Sequence, residues 1–149
     1  LGSDGAFAGM SKGAIFVDHT TVSAQVTREL AELAASHGFG FVDAPVSGGQ
    51  AGAENGALSI MCGGSEASMD AARPIMEPYS KRIVHIGGAG SGQTAKMANQ
   101  IASYFANEPD QDQAMLSVRN HLQMFWTPGM RKELLAWQKS NWKFSADIR

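Results

Sequence analysis

Up to about residue 93, short apolar runs alternate with segments in which apolar residues recur at the spacing of a helix. Each run is largely apolar and is followed by turn residues, which predicts a strand buried in a sheet. The four predicted strands are Ala14–Asp18, Phe39–Val46, Ala57–Met61 and Arg82–Ile86. Between them, apolar residues recur three and four positions apart, as in a helix with one buried face. This alternation of strands and helices predicts an α/β sheet.

Two helices are predicted between these strands. The first follows the hydroxyl residues Thr20, Thr21 and Ser23, which can accept hydrogen bonds from the free N–H groups of a first helical turn. The second follows Ser65, and Pro74 should bend or shorten it. Their apolar faces are Val26, Leu30, Leu33 and Ala34 in the first helix, and Met69, Ala72, Ile75 and Met76 in the second.

The pattern changes sharply near residue 93. Sixteen of the 17 glycines lie at or before Gly92, whereas all three tryptophans lie after it. Helical stripes then follow one another without an intervening strand pattern. The predicted helices are Gln93–Phe105, Asp112–Phe125 and a third that starts at Thr127–Pro128. We therefore expect an α/β unit over residues 1–93, an all-α three-helix unit over residues 94–140 and a tail over residues 141–149.

Composition excludes several classes of function. The formal net charge is −2 and the sequence pI about 6.1, so we expect no nucleic-acid partner. No stretch approaches the roughly 18 consecutive apolar residues of a membrane helix, and no signal peptide opens the chain, which begins at Leu1. Cys62 is the single cysteine and the four histidines lack metal-ligand spacing. We therefore expect no disulfide, no metal and a cytoplasmic location.

Two short motifs carry candidate chemistry. Ser47, Gly48 and Gly49 follow a predicted strand, and backbone N–H groups at such a turn can bind a carboxylate or phosphate. The alternative is a turn without a ligand. Lys96 can act as a general acid or base on a substrate hydroxyl, with Asn99 or Gln100 holding the oxygen. The alternative is an ordinary solvated lysine.

The glycines between Gly88 and Gly92 do not form a dinucleotide-binding fingerprint. They lack the full Gly-x-Gly-x-x-Gly spacing, and the helix after them does not lead into a strand–helix–strand unit. No suitably placed acidic residue follows a next strand. We therefore do not assign the cofactor pyrophosphate to this loop.

Residues 1 to about 100 resemble the β-hydroxyacid dehydrogenase family, which includes 3-hydroxyisobutyrate dehydrogenase and tartronate semialdehyde reductase. Three segments carry the resemblance: Phe16–Thr21, Asp43–Gly49 with the glycines after it, and Gly90–Gln100. Members of this family transfer a hydride between NAD or NADP and a small 3-hydroxy acid. The resemblance implies a Rossmann-like, doubly wound sheet.

The resemblance also implies roles for individual residues. Ser47, Gly48 and Gly49 would bind the substrate carboxylate, and Thr20 and Thr21 would contact the cofactor. The catalytic acid/base would be Lys96, with Asn99 assisting it. Family members begin with a glycine-rich unit that binds the pyrophosphate, and this sequence has none. We therefore expect a partial sheet without its dinucleotide-binding half, and no firm cofactor binding by this chain alone.

Residues from about 95 to 140 resemble the small delta subunit of soluble NAD-dependent formate dehydrogenase. The most diagnostic segment is Phe125–Arg131. The resemblance implies a helical accessory protein of a molybdenum- or tungsten-containing complex, without catalysis of its own. The aromatic residues here either pack the unit's own core or face a partner subunit.

Two functions follow from these resemblances. The first is an NAD(P)-dependent 3-hydroxyacid dehydrogenase. The alternative is a non-catalytic accessory subunit of formate dehydrogenase, or a fusion of the two joined at Lys96–Ile101, where both resemblances meet. The expected partners are a small 3-hydroxy acid and, through the C-terminal helices, other protein subunits.

Overall fold

The computed structural model describes residues 4–107 and 109–140. The chain divides into two compact units, one ending at Lys96 and the other beginning at Met97. The predicted tail over residues 141–149 lies outside the described residues.

The first unit contains a mixed five-stranded sheet in its described part. The strands are β1 (Ile15–Asp18), β2 (Gly40–Asp43), β3 (Val46–Ser47), β4 (Leu58–Gly64) and β5 (Ser80–Gly87). Strands β1 and β2 are parallel, as are β4 and β5. Strands β2 and β3 both pair with β4 in the antiparallel direction. This Rossmann-like α/β sheet confirms the predicted fold class.

The single strand predicted over Phe39–Val46 is two strands, β2 and β3. The interruption falls at Ala44 and Pro45. Proline has no N–H group and cannot donate to a ladder, although the Pro45 carbonyl still accepts a 3.1 Å hydrogen bond from the Met61 N–H. The chain therefore continues along β4 after a short break, with Val46 opposite Ile60 and Ser47 opposite Ser59.

The described residues form six α-helices, and all but the second, which the sequence did not predict, lie close to their predicted positions. They are α1 (Ala24–Ser36), α2 (Gly49–Glu54), α3 (Glu66–Met76), α4 (Ser91–Phe105), α5 (Gln111–Phe125) and α6 (Pro128–Ser140). Of the three hydroxyl residues before α1, Ser23 is the N-cap, because its side chain accepts from the Val26 N–H. Ser65 caps α3 in the same way.

The core of the first unit lies on both faces of β2, because successive strand side chains point to opposite faces. Phe41 packs with Ala34 of α1, and Val42 packs with Met69 of α3. The prediction for Val26 is wrong: it is 44% exposed. Thr27 is buried in its place and donates its hydroxyl to the Ser23 carbonyl at 3.1 Å.

Ile75 is also outside the core, with 57% of its surface exposed. The other three apolar positions predicted for that helix, Met69, Ala72 and Met76, are buried. Pro74 lies inside α3, within its last turn. A proline there ends the helix soon afterwards, and the short 3-10 turn Glu77–Tyr79 follows.

In the second unit, the diagnostic segment Phe125–Arg131 forms the corner between α5 and α6. Trp126 is buried at the end of α5. Thr127 accepts from the Met130 N–H at 3.3 Å and so caps α6. The Arg131 guanidinium donates to the carbonyls of Gln123 at 2.9 Å and Trp126 at 3.0 Å. It thereby satisfies carbonyls that the end of a helix leaves without partners.

Exposed apolar side chains are frequent in the second unit. They are Tyr104, Met115, Leu116, Met124, Phe125 and Leu135. Among the described residues, no helix is both long enough and apolar enough to cross a membrane.

The buried Cys62 thiol should be inert in the folded chain. It has no exposed surface, and burial raises its pKa to about 12, so the reactive thiolate is scarce. We expect Ellman's reagent to label the native protein slowly and to label it stoichiometrically in urea. Rapid stoichiometric labelling without urea would contradict the packing of β4.

Candidate functional site

A buried carboxylate connects the sheet to helix α4. Asp43 ends β2 and has no exposed surface. Its Oδ1 accepts from the Gly90 N–H at 2.7 Å, and its Oδ2 accepts from the Gln93 N–H at 3.0 Å. Gly90 immediately precedes α4 and Gln93 lies in its first turn, a position where an anion is favoured by both the free donors and the helix dipole. Asp43 therefore fixes where α4 begins.

Two glycines make room for this carboxylate. A Cβ at Gly63 would collide with Asp43 Oδ1, and it would lie 2.6 Å from the Gly88 carbonyl oxygen. A Cβ at Gly92 would collide with the Met61 carbonyl oxygen and lie 2.7 Å from Asp43 Oδ2. A side chain at either position would therefore not fit between the end of β4 and the start of α4.

Burial has an electrostatic cost at Asp43. Removal from water raises the pKa of the carboxyl group to about 6, although the hydrogen bonds from the Gly90 and Gln93 N–H groups act in the opposite direction. The group is therefore mainly ionised at neutral pH, the state in which it accepts both bonds.

Lys96 of helix α4 contacts both the turn after β1 and strand β3. Its Nζ donates to Thr21 Oγ1 at 3.0 Å and to the Val46 carbonyl at 2.9 Å. Thr21 lies in the turn after β1, and Val46 immediately precedes Ser47. The ammonium group thus joins two of the sequence motifs that carry candidate chemistry.

Several hydrogen bonds fix the turn after β1. Asp18 Oδ1 accepts from the Thr20 N–H at 2.9 Å and from the Thr20 hydroxyl at 2.7 Å. The Gln93 side chain donates to the Thr20 carbonyl at 2.7 Å. His19 Nδ1 lies 2.6 Å from the Ala44 carbonyl oxygen. The Thr20 side chain therefore serves the turn itself, whereas the neighbouring Thr21 is exposed beside Lys96.

Ser47, Gly48 and Gly49 are exposed at the start of α2. Gly48 has φ +129° and Gly49 has φ +59°, values that L-residues with a side chain rarely adopt. The first N–H groups of a helix have no intrahelical acceptor. The turn can therefore present backbone donors to an anion, directly after the carbonyl that Lys96 contacts.

The structure does not bring every predicted residue to this place. Asn99 is exposed in α4 and belongs to the second compact unit, so its assisting role stays a prediction. Gln100 is likewise exposed. Conversely, sequence reasoning assigned no role to Asp43 or Gln93. A charged residue inside the apolar run before Pro45 was the available signal, because a buried carboxylate requires donors.

Comparisons with known proteins identify the family of the first unit. Residues 1–87 match the family model of the NAD binding domain of 6-phosphogluconate dehydrogenase. The chain belongs to this family. An uncharacterized oxidoreductase of Shewanella frigidimarina is 52% identical over 101 residues, which are 68% of this chain and 35% of that protein. The 2-hydroxy-3-oxopropionate reductase of Escherichia coli is 43% identical over 101 residues, with the same two coverages.

A solved dehydrogenase structure is similar in fold to part of this chain. The 3-hydroxyisobutyrate dehydrogenase of Mycobacterium tuberculosis, in a structure with L-serine, matches with a TM-score of 0.61 and 40% identity. The match covers 67% of this chain and 38% of that one. The chain therefore spans about a third of the length of the curated relatives it matches.

The second unit matches a different family model. Residues 94–144 match the NADH-dependent formate dehydrogenase delta subunit. This match supports the second resemblance drawn from the sequence, and it begins within α4, three residues after the start of that helix.

Two turns of the first unit differ in how well they fit a dinucleotide. The Gly88–Gly92 turn does not fit a pyrophosphate, because the Gly90 and Gln93 N–H groups already donate to Asp43. The turn after β1 is better suited to the end of the cofactor that exchanges the hydride. The Thr21 hydroxyl is exposed beside Lys96 and follows the carboxyl end of β1. Open α/β sheets bind their ligands at the carboxyl ends of their strands.

The close approach at Gly92 predicts a large effect of one methyl group. We expect Gly92→Ala to lower the free energy of unfolding by about 2 kcal/mol or more through overpacking, although alanine is the better helix former. The matched control is Gly88→Ala, whose Cβ would have nothing within 4 Å. Urea unfolding measures both variants. Equal stabilities would contradict the packing of α4 against Asp43.

Proposed function

We propose that the first unit carries the substrate half of an NAD(P)-dependent oxidoreductase for small 3-hydroxy acids. The observation that supports this most directly is the position of Lys96, whose Nζ bridges Thr21 and the Val46 carbonyl. The amine that we propose for proton transfer thus contacts the turn after β1 and the residue just before Ser47.

The names of the relatives point to one class of substrate. Both 3-hydroxyisobutyrate and 2-hydroxy-3-oxopropionate carry a carboxylate at carbon 1 and the reacting oxygen at carbon 3. In our proposal the carboxylate binds the backbone donors of Ser47, Gly48 and Gly49. The oxygen at carbon 3 then lies toward Lys96, because the Val46 carbonyl joins that turn to the lysine.

Lys96 is the proposed acid/base. During oxidation, the hydroxyl proton of the substrate passes to the neutral Lys96 amine as the C3–H bond breaks and the C3–O bond becomes a carbonyl. Bound NAD(P) supplies the hydride acceptor. In the reverse reduction, the Lys96 ammonium returns the proton to the forming alkoxide. Asn99 is proposed to assist, and Thr20 and Thr21 to contact the cofactor.

Titration and mutation test this proposal together. In an isothermal titration of NADH and NADPH into the full chain, micromolar binding would support the proposal against the expectation of no firm cofactor binding by this chain alone, and so would oxidation of 3-hydroxyisobutyrate with NAD⁺ or NADP⁺. We expect Lys96→Met to lower turnover at least about a hundredfold, the scale of a lost general base. The exposed Lys81 supplies the control, because Lys81→Met should keep full turnover. Unchanged turnover in Lys96→Met would refute the role of Lys96.

The second candidate function is an accessory subunit of a formate dehydrogenase. It is favoured by the match of residues 94–144 and by the exposed apolar side chains of the second unit, which include Tyr104, Met115 and Phe125. Such a surface suits a protein partner. No NAD(P)H binding in the titration, together with co-purification of formate dehydrogenase subunits, would favour this candidate over the dehydrogenase.

Organisation and location complete the proposal. We assign residues 1–93 to the dehydrogenase-type unit and residues 94–140 to the helical unit, joined in one chain as a fusion of two families. A cytoplasmic location is proposed because the single cysteine, Cys62, is a free thiol buried in the core.

A further inference from the structure

We propose that Gln93 is a positioning residue that holds Thr21 in reach of Lys96. The inference rests on the proposed function for its catalytic meaning, but its geometry stands in the first unit alone. Gln93 is 2% exposed, which is unusual for a polar side chain outside a ligand site.

The Gln93 carboxamide binds the backbone on both sides of Thr21. Its Nε2 donates to the Thr20 carbonyl at 2.7 Å, and its Oε1 accepts from the Val22 N–H at 3.4 Å. The side chain between these two bonds belongs to Thr21, whose Oγ1 accepts from Lys96. The two bonds therefore set the position of the residue that Lys96 contacts.

The backbone of Gln93 is itself held in place at the start of helix α4. The Gln93 N–H donates to Asp43 Oδ2 at 3.0 Å, so the same residue is held through its backbone and holds the turn through its side chain. Gln93 and Lys96 are three positions apart, which places both on one face of the helix. One helical turn thus presents a carboxamide and an ammonium group to the same three-residue turn.

The chemistry requires a carboxamide at this position. Glutamine donates and accepts at once, as the carbonyl of Thr20 and the N–H of Val22 demand. Glutamate can accept from Val22 but cannot donate to Thr20 in its ionised form. Methionine has a similar length and makes neither bond. Both substitutions should therefore release the turn, since each loses the shorter of the two hydrogen bonds.

The acetylation rate of Lys96 reports this release without cofactor or substrate. Acetic anhydride at low concentration labels exposed amines, and peptide mass spectrometry gives the ratio of Lys96 to the exposed Lys81 within one sample. We expect Gln93→Met and Gln93→Glu to raise this ratio about fivefold, equivalent to one lost hydrogen bond of about 1 kcal/mol. The control is Gln25→Met, an exposed glutamine of α1, which should leave the ratio unchanged.

The outcomes separate positioning from general stability and from the proposed activity. A folded Gln93→Met with the wild-type ratio would overturn the inference, whatever its unfolding free energy, and would leave the dehydrogenase proposal standing. A raised ratio supports the inference even where NADH and NADPH fail to bind. If neither variant folds, NMR of the wild-type chain decides the question. Cross-peaks between the Gln93 carboxamide protons and Thr20 or Thr21 would support the positioning role of Gln93. Their absence would overturn it.

Discussion

The bond from a buried carboxylate to the first turn of a helix organises the first unit. Asp43 stands at the end of β2 with no contact to solvent, and a charge in such a place is tolerated only when it is well hydrogen-bonded. The N–H groups of Gly90 and Gln93 supply these bonds. The glycines at 63 and 92 leave the space that the close approach needs.

The position of the site follows from this anchor. The hydrogen bonds to Asp43 fix the start of α4. The following turn of this helix then brings Lys96 to the Thr21 hydroxyl and the Val46 carbonyl. Elements far apart in the sequence thereby meet at the Lys96 side chain. The same bond explains why the glycine-rich loop before α4 is not a phosphate loop, because its donors face a carboxylate of the protein itself.

Local patterns predicted much of the fold. The strands and helices are visible in the spacing of apolar residues, and the end of the α/β pattern near residue 93 lies close to the boundary between the compact units. Two features of the fold could not be predicted from local patterns, because they depend on tertiary contacts. Pro45 divides a strand that looked continuous, and Thr27 takes the buried position expected for Val26, because its hydroxyl is satisfied within the helix.

The candidate site was predicted in part. Roles for Lys96, Thr21 and the Ser47–Gly49 turn were predicted from family motifs, since glycines and a lysine leave a signature in the sequence, and these roles stay predictions. The partners that position them left a weaker signal. Asp43 and Gln93 act through bonds to residues about 50 and 70 positions away, a separation at which periodicity carries no information.

The titration of Asp43 tests this account most directly. Carbon-13 NMR of the Asp43 carboxyl group and the amide signals of Gly90 and Gln93 can be followed together as the pH changes. The account predicts one common midpoint near pH 6, well above the ordinary value of 3.8, because protonation of the buried carboxylate alters both hydrogen bonds at once. A midpoint near 3.8, or amide signals that do not follow the carboxyl group, would contradict it.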